Sequence, residues 1–137
     1  MPSFSFKKEE KLKSRKIIQG MFTKGQSFGA YPLRIVWIPL EEHDGQYPIR
    51  FALTVAKKKF PKAAHRNRLR RRIREAWRLH KHILYKSLNK IEGGPQYAFM
   101  IMYTAKEELP YSEIEAAMKK IIFRFRKKAM TNHKRNE

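Results

Sequence analysis

Residues 55–76 read Val55-Ala56-Lys57-Lys58-Lys59-Phe60-Pro61-Lys62-Ala63-Ala64-His65-Arg66-Asn67-Arg68-Leu69-Arg70-Arg71-Arg72-Ile73-Arg74-Glu75-Ala76. From Lys57 to Arg74 ten of the eighteen positions are basic and none is acidic. A solvated helix face usually mixes its charges, with Glu or Asp three or four residues from Lys or Arg, and here that compensation is absent until Glu75. Such a run repels itself unless a polyanion neutralises it, which points to a phosphate backbone. Past Pro61 the residues Leu69, Ile73, Ala76, Trp77, His80, Leu84, Leu88 and Ile91 follow at three- and four-residue intervals and define the core face of a long helix. Asn67, Arg70, Arg71, Arg74 and Arg78 recur at the same spacing on the other side, gathering the guanidinium groups into one stripe. Gly93-Gly94-Pro95 ends the element.

Working outward, Ile49, Phe51, Leu53 and Val55 fall on one face of a strand that ends where the basic run begins. Leu33 to Leu40 is a second strand, rich in β-branched and aromatic residues. Between the two, Glu41-Glu42-His43-Asp44-Gly45-Gln46 supplies an Asp-Gly turn, so they are expected to pair as a hairpin. Upstream, Leu12, Ile17 or Ile18, Met21 and Phe22 mark a short amphipathic helix over residues 11–23, stopped by Gly25. Downstream, residues 97–104 are apolar throughout and predict a central strand buried on both faces. The last helix is expected to start at Ser112, capped with Glu115, and to run through Ile114, Ala117, Met118, Ile121, Ile122 and Phe125. Residues 126–137, beginning Arg126-Lys127-Lys128, read as a basic, mobile tail behind a single domain of residues 1–125.

The whole chain agrees with its densest segment: 32 Lys and Arg against 12 Asp and Glu leave +20 on 137 residues. A hydrophobic content of 42% is enough to fill one core, which excludes a wholly disordered basic chain. The absence of cysteine removes disulfides and thiolate metal sites, and a cytoplasmic location is expected. The N-terminus has no apolar core of signal-peptide length and no stretch approaches the ~20 apolar residues of a membrane span. The histidines His43, His65, His80, His82 and His133 show no ligand-type spacing; His80 is expected to be a satisfied core residue and His82 solvated. The acids Glu41, Glu42 and Asp44 are explained by the turn, and no nucleophile motif or phosphate-gripping glycine loop is present, so neither catalytic nor metal-ligating residues are expected.

The lysines at the strand end, Arg66-Asn67-Arg68 opening the helix, and Arg70-Arg71-Arg72-Ile73-Arg74-Glu75 continuing it together resemble the signature of the bacterial ribonuclease P protein subunit. The likeness extends to residues 12–25 and 97–104, covering roughly residues 6 to 125. It implies an α+β fold in the order α-β-β-β-α-β-α, ribosomal protein S5 domain 2-like, with a left-handed βαβ crossover that periodicity alone could not reveal, since the usual hand is the opposite. It also implies the non-catalytic protein subunit of a ribonucleoprotein endoribonuclease. Its partners are then the catalytic ribonuclease P RNA and the 5′ leader of precursor tRNA, with no membrane and no protein partner required, and Mg²⁺ belongs to the RNA-containing holoenzyme.

On the resemblance, RNA contact falls to Lys57, Lys58, Lys59, Arg66, Asn67, Arg68, Arg70, Arg71 and Arg74, with Asn67 ordering the turn or a bound metal-phosphate pair. The plain alternatives are a solvated helix face and polar strand-end lysines. Phe22 matches an aromatic that lines the family's groove for single-stranded leader, the alternative being core packing. Three departures bear on that groove: Ile18 stands where a second aromatic is common, Lys59-Phe60-Pro61 replaces a glycine-containing turn, and Tyr103 replaces a frequent arginine. Trp37 or Tyr103 is the candidate for the missing stacking surface. A ribosomal or RNA-chaperone-type basic protein is the alternative function.

Overall fold

The computed structural model describes residues 5–41 and 47–135, with the side chains of residues 132–135 left out. The elements are a 3₁₀ turn at Lys8–Glu10, α1 at Arg15–Lys24, β1 at Gln26–Ala30, β2 at Leu33–Leu40, β3 at Ile49–Thr54, α2 at Ala63–Asn89, β4 at Gln96–Tyr103 and α3 at Tyr111–Arg135. The α-β-β-β-α-β-α order is the expected one, but the first of the three strands, β1, carries too little apolar signal in Gln26-Ser27-Phe28-Gly29-Ala30 to be read from periodicity.

The sheet order is β1-β2-β4-β3. β4 is antiparallel to β2 and parallel to β3, so β2 and β3 are not a hairpin: β4 lies between them. The even apolarity of Tyr97–Tyr103 is the cause, because only a strand covered on both sides tolerates it, and the central position goes to such a strand. The expected Asp44-Gly45 turn lies outside the described residues. α2 crosses from β3 to the parallel β4, forming the βαβ unit for which the left-handed sense is implied.

The two faces of the sheet are covered differently. Ile35, Trp37, Phe51, Phe99, Ile101 and Tyr103 point to the side where α2 and α3 pack, joined there by Leu69, Ile73, Trp77, Ile121 and Phe125. Trp77 stacks on Phe51 with 4.6 Å between centroids, and Phe125 meets Phe99 edge-on at 4.6 Å. Val36, Ala98 and Met100 point to the other side, where α1 contributes Met21, with Leu12 beside it. Helix α1 starts at Ser14, whose hydroxyl accepts the Ile17 N–H at 3.3 Å. Gly25 ends it by close approach rather than by left-handed geometry: its φ is −72°, and a Cβ there would sit 2.2 Å from the Met21 carbonyl oxygen and 2.8 Å from Val36.

Two boundaries at the C-terminal end differ from expectation. α3 begins at Tyr111, behind Pro110, so Ser112 lies within the helix, and Glu115 instead accepts from Tyr111 and meets His80. The helix also runs on to Arg135 without a break at residue 126, because Ala129 is buried and Met130 packs on the same core one turn beyond Phe125. Among the described residues no helix is long and apolar enough to cross a membrane.

Candidate nucleic-acid interface

The start of α2 is organised by its arginines, each in a different way. Arg66 Nη1 donates to the carbonyls of Phe60 and Pro61, both at 2.8 Å, and so ties the strand-to-helix loop to the first turn. Asn67, beside it, is exposed. Arg68 forks onto Glu108, Nε to Oε1 at 2.7 Å and Nη2 to Oε2 at 3.1 Å. Arg72 and His65 approach the same carboxylate at 3.5 Å each, and Arg72 also donates to the Leu109 carbonyl at 2.8 Å. Arg68 thus already places two of its five N–H donors on a carboxylate. No short-range sequence signal foretold this pairing, since 40 residues separate the partners.

Further along, Arg78 is held by Glu75, with Nε to Oε2 at 3.1 Å. Among the described residues Arg70, Arg71 and Arg74 make no hydrogen bond or ion pair, and Arg71 and Arg74 are exposed. Arg70 and Arg74 instead border a cleft of about 410 Å³ with Lys11 and Lys13, over Phe6, Leu12, Phe51, Ala52 and Leu53. The segment carrying Lys11 reaches this place because Lys11 bridges β3 at Phe51 and the Leu12 N–H donates to the Phe51 carbonyl at 2.9 Å. Lys11 and Lys13 carry no periodic signal that would have nominated them. Lys57, Lys58 and Lys59 are exposed at the strand end, with Lys59 reaching the Thr104 carbonyl at 3.1 Å.

The aromatic candidates separate. Phe22 is 60% exposed on α1, which rules out core packing for it. Trp37 is buried among the helices, edge-on to Phe125 at 5.0 Å and to Tyr97 at 5.9 Å. Tyr103 is buried too: its hydroxyl donates to the Glu107 carbonyl at 2.6 Å and accepts the Leu109 N–H at 2.9 Å. Neither can be the missing stacking surface beside Phe22, because both share the parity of Ile35 and Ile101 and so face α2 and α3. The residues of opposite parity, Arg34, Val36, Met100 and Met102, share the sheet face that α1 covers. Period-two counting from Trp37 would have found them.

Among the described residues no three of His, Asp and Glu come together as a metal cluster. His80 is half-buried between the helices with Nε2 2.9 Å from Glu115, and His82 is half-buried rather than solvated. Hydrogen bonding from Arg68 holds the Glu108 carboxyl below the usual carboxylate range, and His80 and Tyr111 do the same for Glu115. A carboxyl depressed in the folded state stabilises above its unfolded pKa and loses that contribution as pH falls through its folded one. Glu108→Gln is therefore expected to flatten the acid limb of the stability–pH curve while leaving its shape above neutrality unchanged. Urea unfolding from pH 7 to pH 3 measures it, and parallel curves for the two proteins would show that Glu108 carries no such linkage.

Comparison with known proteins agrees with this geometry. The family model described as Ribonuclease P matches residues 6–133. The chain is 36% identical over 137 residues to the ribonuclease P protein component of Porphyromonas gingivalis, covering 99% of this chain and 97% of that one. It is 38% identical over 69 residues to the corresponding protein of Chlorobaculum tepidum, covering 49% and 45%. In fold it is similar to the RNase P proteins of Staphylococcus aureus, with TM-score 0.64, 18% identity and coverage of 82% and 92%, and of Thermotoga maritima, with TM-score 0.62, 19% identity and coverage of 83% and 96%. With its sheet order, its arginine-opened crossover helix and a family match that spans nearly its whole length, the chain belongs to the ribonuclease P protein family.

Proposed function

We propose that this protein binds the catalytic RNA of ribonuclease P through α2 and the 5′ leader of precursor tRNA through the α1-covered sheet face, assisting RNA-catalysed, Mg²⁺-dependent endonucleolytic removal of the leader. The observation that carries the reading is the stripe of Arg70, Arg71 and Arg74, without intramolecular partners among the described residues, on a helix whose other arginines are all engaged. Charges left uncompensated on a rigid helix are placed for phosphates. In this reading the metal ions and the hydrolytic water are the RNA's, the protein acts in the cytoplasm, and it needs no second protein.

The test adds purified protein to ribonuclease P RNA at low Mg²⁺. Precursor-tRNA cleavage is expected to rise, while nuclease-free protein without RNA leaves the precursor intact. Leader removal by the protein alone, or equal stimulation of unrelated ribozymes, would overturn the reading, the second in favour of a general RNA chaperone.

Affinity for the RNA should fall with salt at a log-log slope of roughly −0.7 to −0.9 per phosphate contact. Arg70→Ala combined with Arg74→Ala is expected to flatten that slope by about 1 to 2. Thermal unfolding should stay unchanged, because neither side chain packs in the core. Binding titrations across a salt series decide it, and an unaltered slope would show that the stripe does not face RNA.

A further inference from the structure

The last helix carries a second cationic surface that the α2 stripe does not account for. Lys119, Lys120, Arg124, Arg126, Lys127 and Lys128 are all exposed and occupy six of the ten positions from 119 to 128, with no acid among them. The acids of α3, Glu113 and Glu115, lie in its first turns and offer no compensation here. Amid these cations Phe123 is 56% exposed, and Lys127 Nζ stands 5.3 Å from its ring centroid. Lys120, Phe123, Arg124 and Lys127 fall at i, i+3, i+4 and i+7, which aligns them along one side of the helix. Arg124 is fixed in place: its guanidinium lies 4.5 Å over the Phe28 ring, and Nη1 donates to the Gly29 carbonyl at 3.0 Å.

Position separates this surface from the first. Arg124 lies against β1, one edge of the sheet, whereas Arg70 and Arg74 border a cleft lined by Ala52 and Leu53 of β3, the other edge. Three inter-strand spacings put the edges roughly 14 Å apart, beyond the ~8 Å screening length at physiological salt. At that salt the two cation sets are therefore largely screened from one another. An exposed ring flanked by cations suits an unpaired base, whose π-face stacks on the aromatic while its phosphates meet the charges.

We propose that Lys120, Phe123, Arg124 and Lys127 form a second RNA-binding surface for an unpaired segment, so that the protein bridges two stretches of RNA across the width of its sheet. The inference rests on the RNA-binding reading of the chain. A photoreactive phenylalanine analogue at position 123 of the full-length protein is expected to cross-link to unpaired nucleotides of the assembled ribonuclease P RNA. Phe123→Ala should weaken binding of an unstructured oligoribonucleotide by about 5- to 150-fold. Lys120→Gln with Lys127→Gln should flatten its salt slope by about 1 to 1.5. Wild-type binding and no cross-link, while Arg70→Ala/Arg74→Ala still loses affinity, would overturn the second surface and leave the first reading standing. If instead the Phe123 variant abolishes self-association seen by sedimentation and spares RNA binding, the patch is a protein interface and the proposal falls. Loss of affinity in neither variant set would overturn the RNA-binding reading itself.

Discussion

Replacing Lys81 by Met is expected to lower the unfolding free energy by about 3–5 kcal/mol, because it strands a carboxylate in the interior. Lys81 and Glu10 are almost wholly buried, at 2% and 0% exposure. The Lys81 ammonium donates to Glu10 and to the Ser5 carbonyl, while Glu10 also accepts from the Tyr85 hydroxyl at 2.6 Å and the Lys7 N–H at 2.6 Å. Burial, reinforced by the neighbouring Glu10 carboxylate, pushes the Tyr85 phenol far up, so it remains a donor throughout the physiological range. This network fastens the segment before α1 to α2 and thereby sets Lys11 and Lys13 beside Arg70 and Arg74. The melting temperature of Lys81→Met should fall on the order of 10 °C. Glu10→Leu added to Lys81→Met should recover much of the loss, since removing both charges leaves no unpaired ion. Urea and thermal unfolding of the two variants measure this; a single-variant loss below about 1 kcal/mol would mean that water reaches the pair.

Phe22→Ala has the second large expected effect, and it falls on binding rather than on folding. At 60% exposure the ring offers a face to an unpaired base, and its truncation should cost the holoenzyme ~1–3 kcal/mol of affinity for leader-bearing precursor, with mature tRNA unaffected. Stability should change by no more than about 0.5 kcal/mol, as for exposed substitutions generally. Equilibrium binding of both RNAs, with unfolding measured alongside, separates the effects. Equal weakening for precursor and mature tRNA would remove Phe22 from the leader surface.

Arg68 illustrates what a linear reading misses. The Arg66-Asn67-Arg68 triplet opens the basic helix α2, yet both of its arginines make intramolecular bonds, one to loop carbonyls and the other to Glu108. The unpartnered charge lies one turn further on. Trp37 and Tyr103 teach the related lesson for aromatics: composition proposes a stacking ring, but parity along the strand decides which face it serves. Lys81 is the reverse case, a charge on the core face of α2 whose partner lies 71 residues away.

From the sequence alone came the helices, three of the four strands, the core face of α2 with the exception of Lys81 and Ser87, and the cationic character of the whole chain. These depend on local periodicity and on charge, which a linear string carries in full. The motif resemblance supplied the strand count and the family. Tertiary structure alone decided that β4 separates β2 from β3, that α3 continues to Arg135, and which arginines remain available. Each of these is settled by groups distant in sequence competing for the same space or the same charge, and no local pattern records the outcome of that competition.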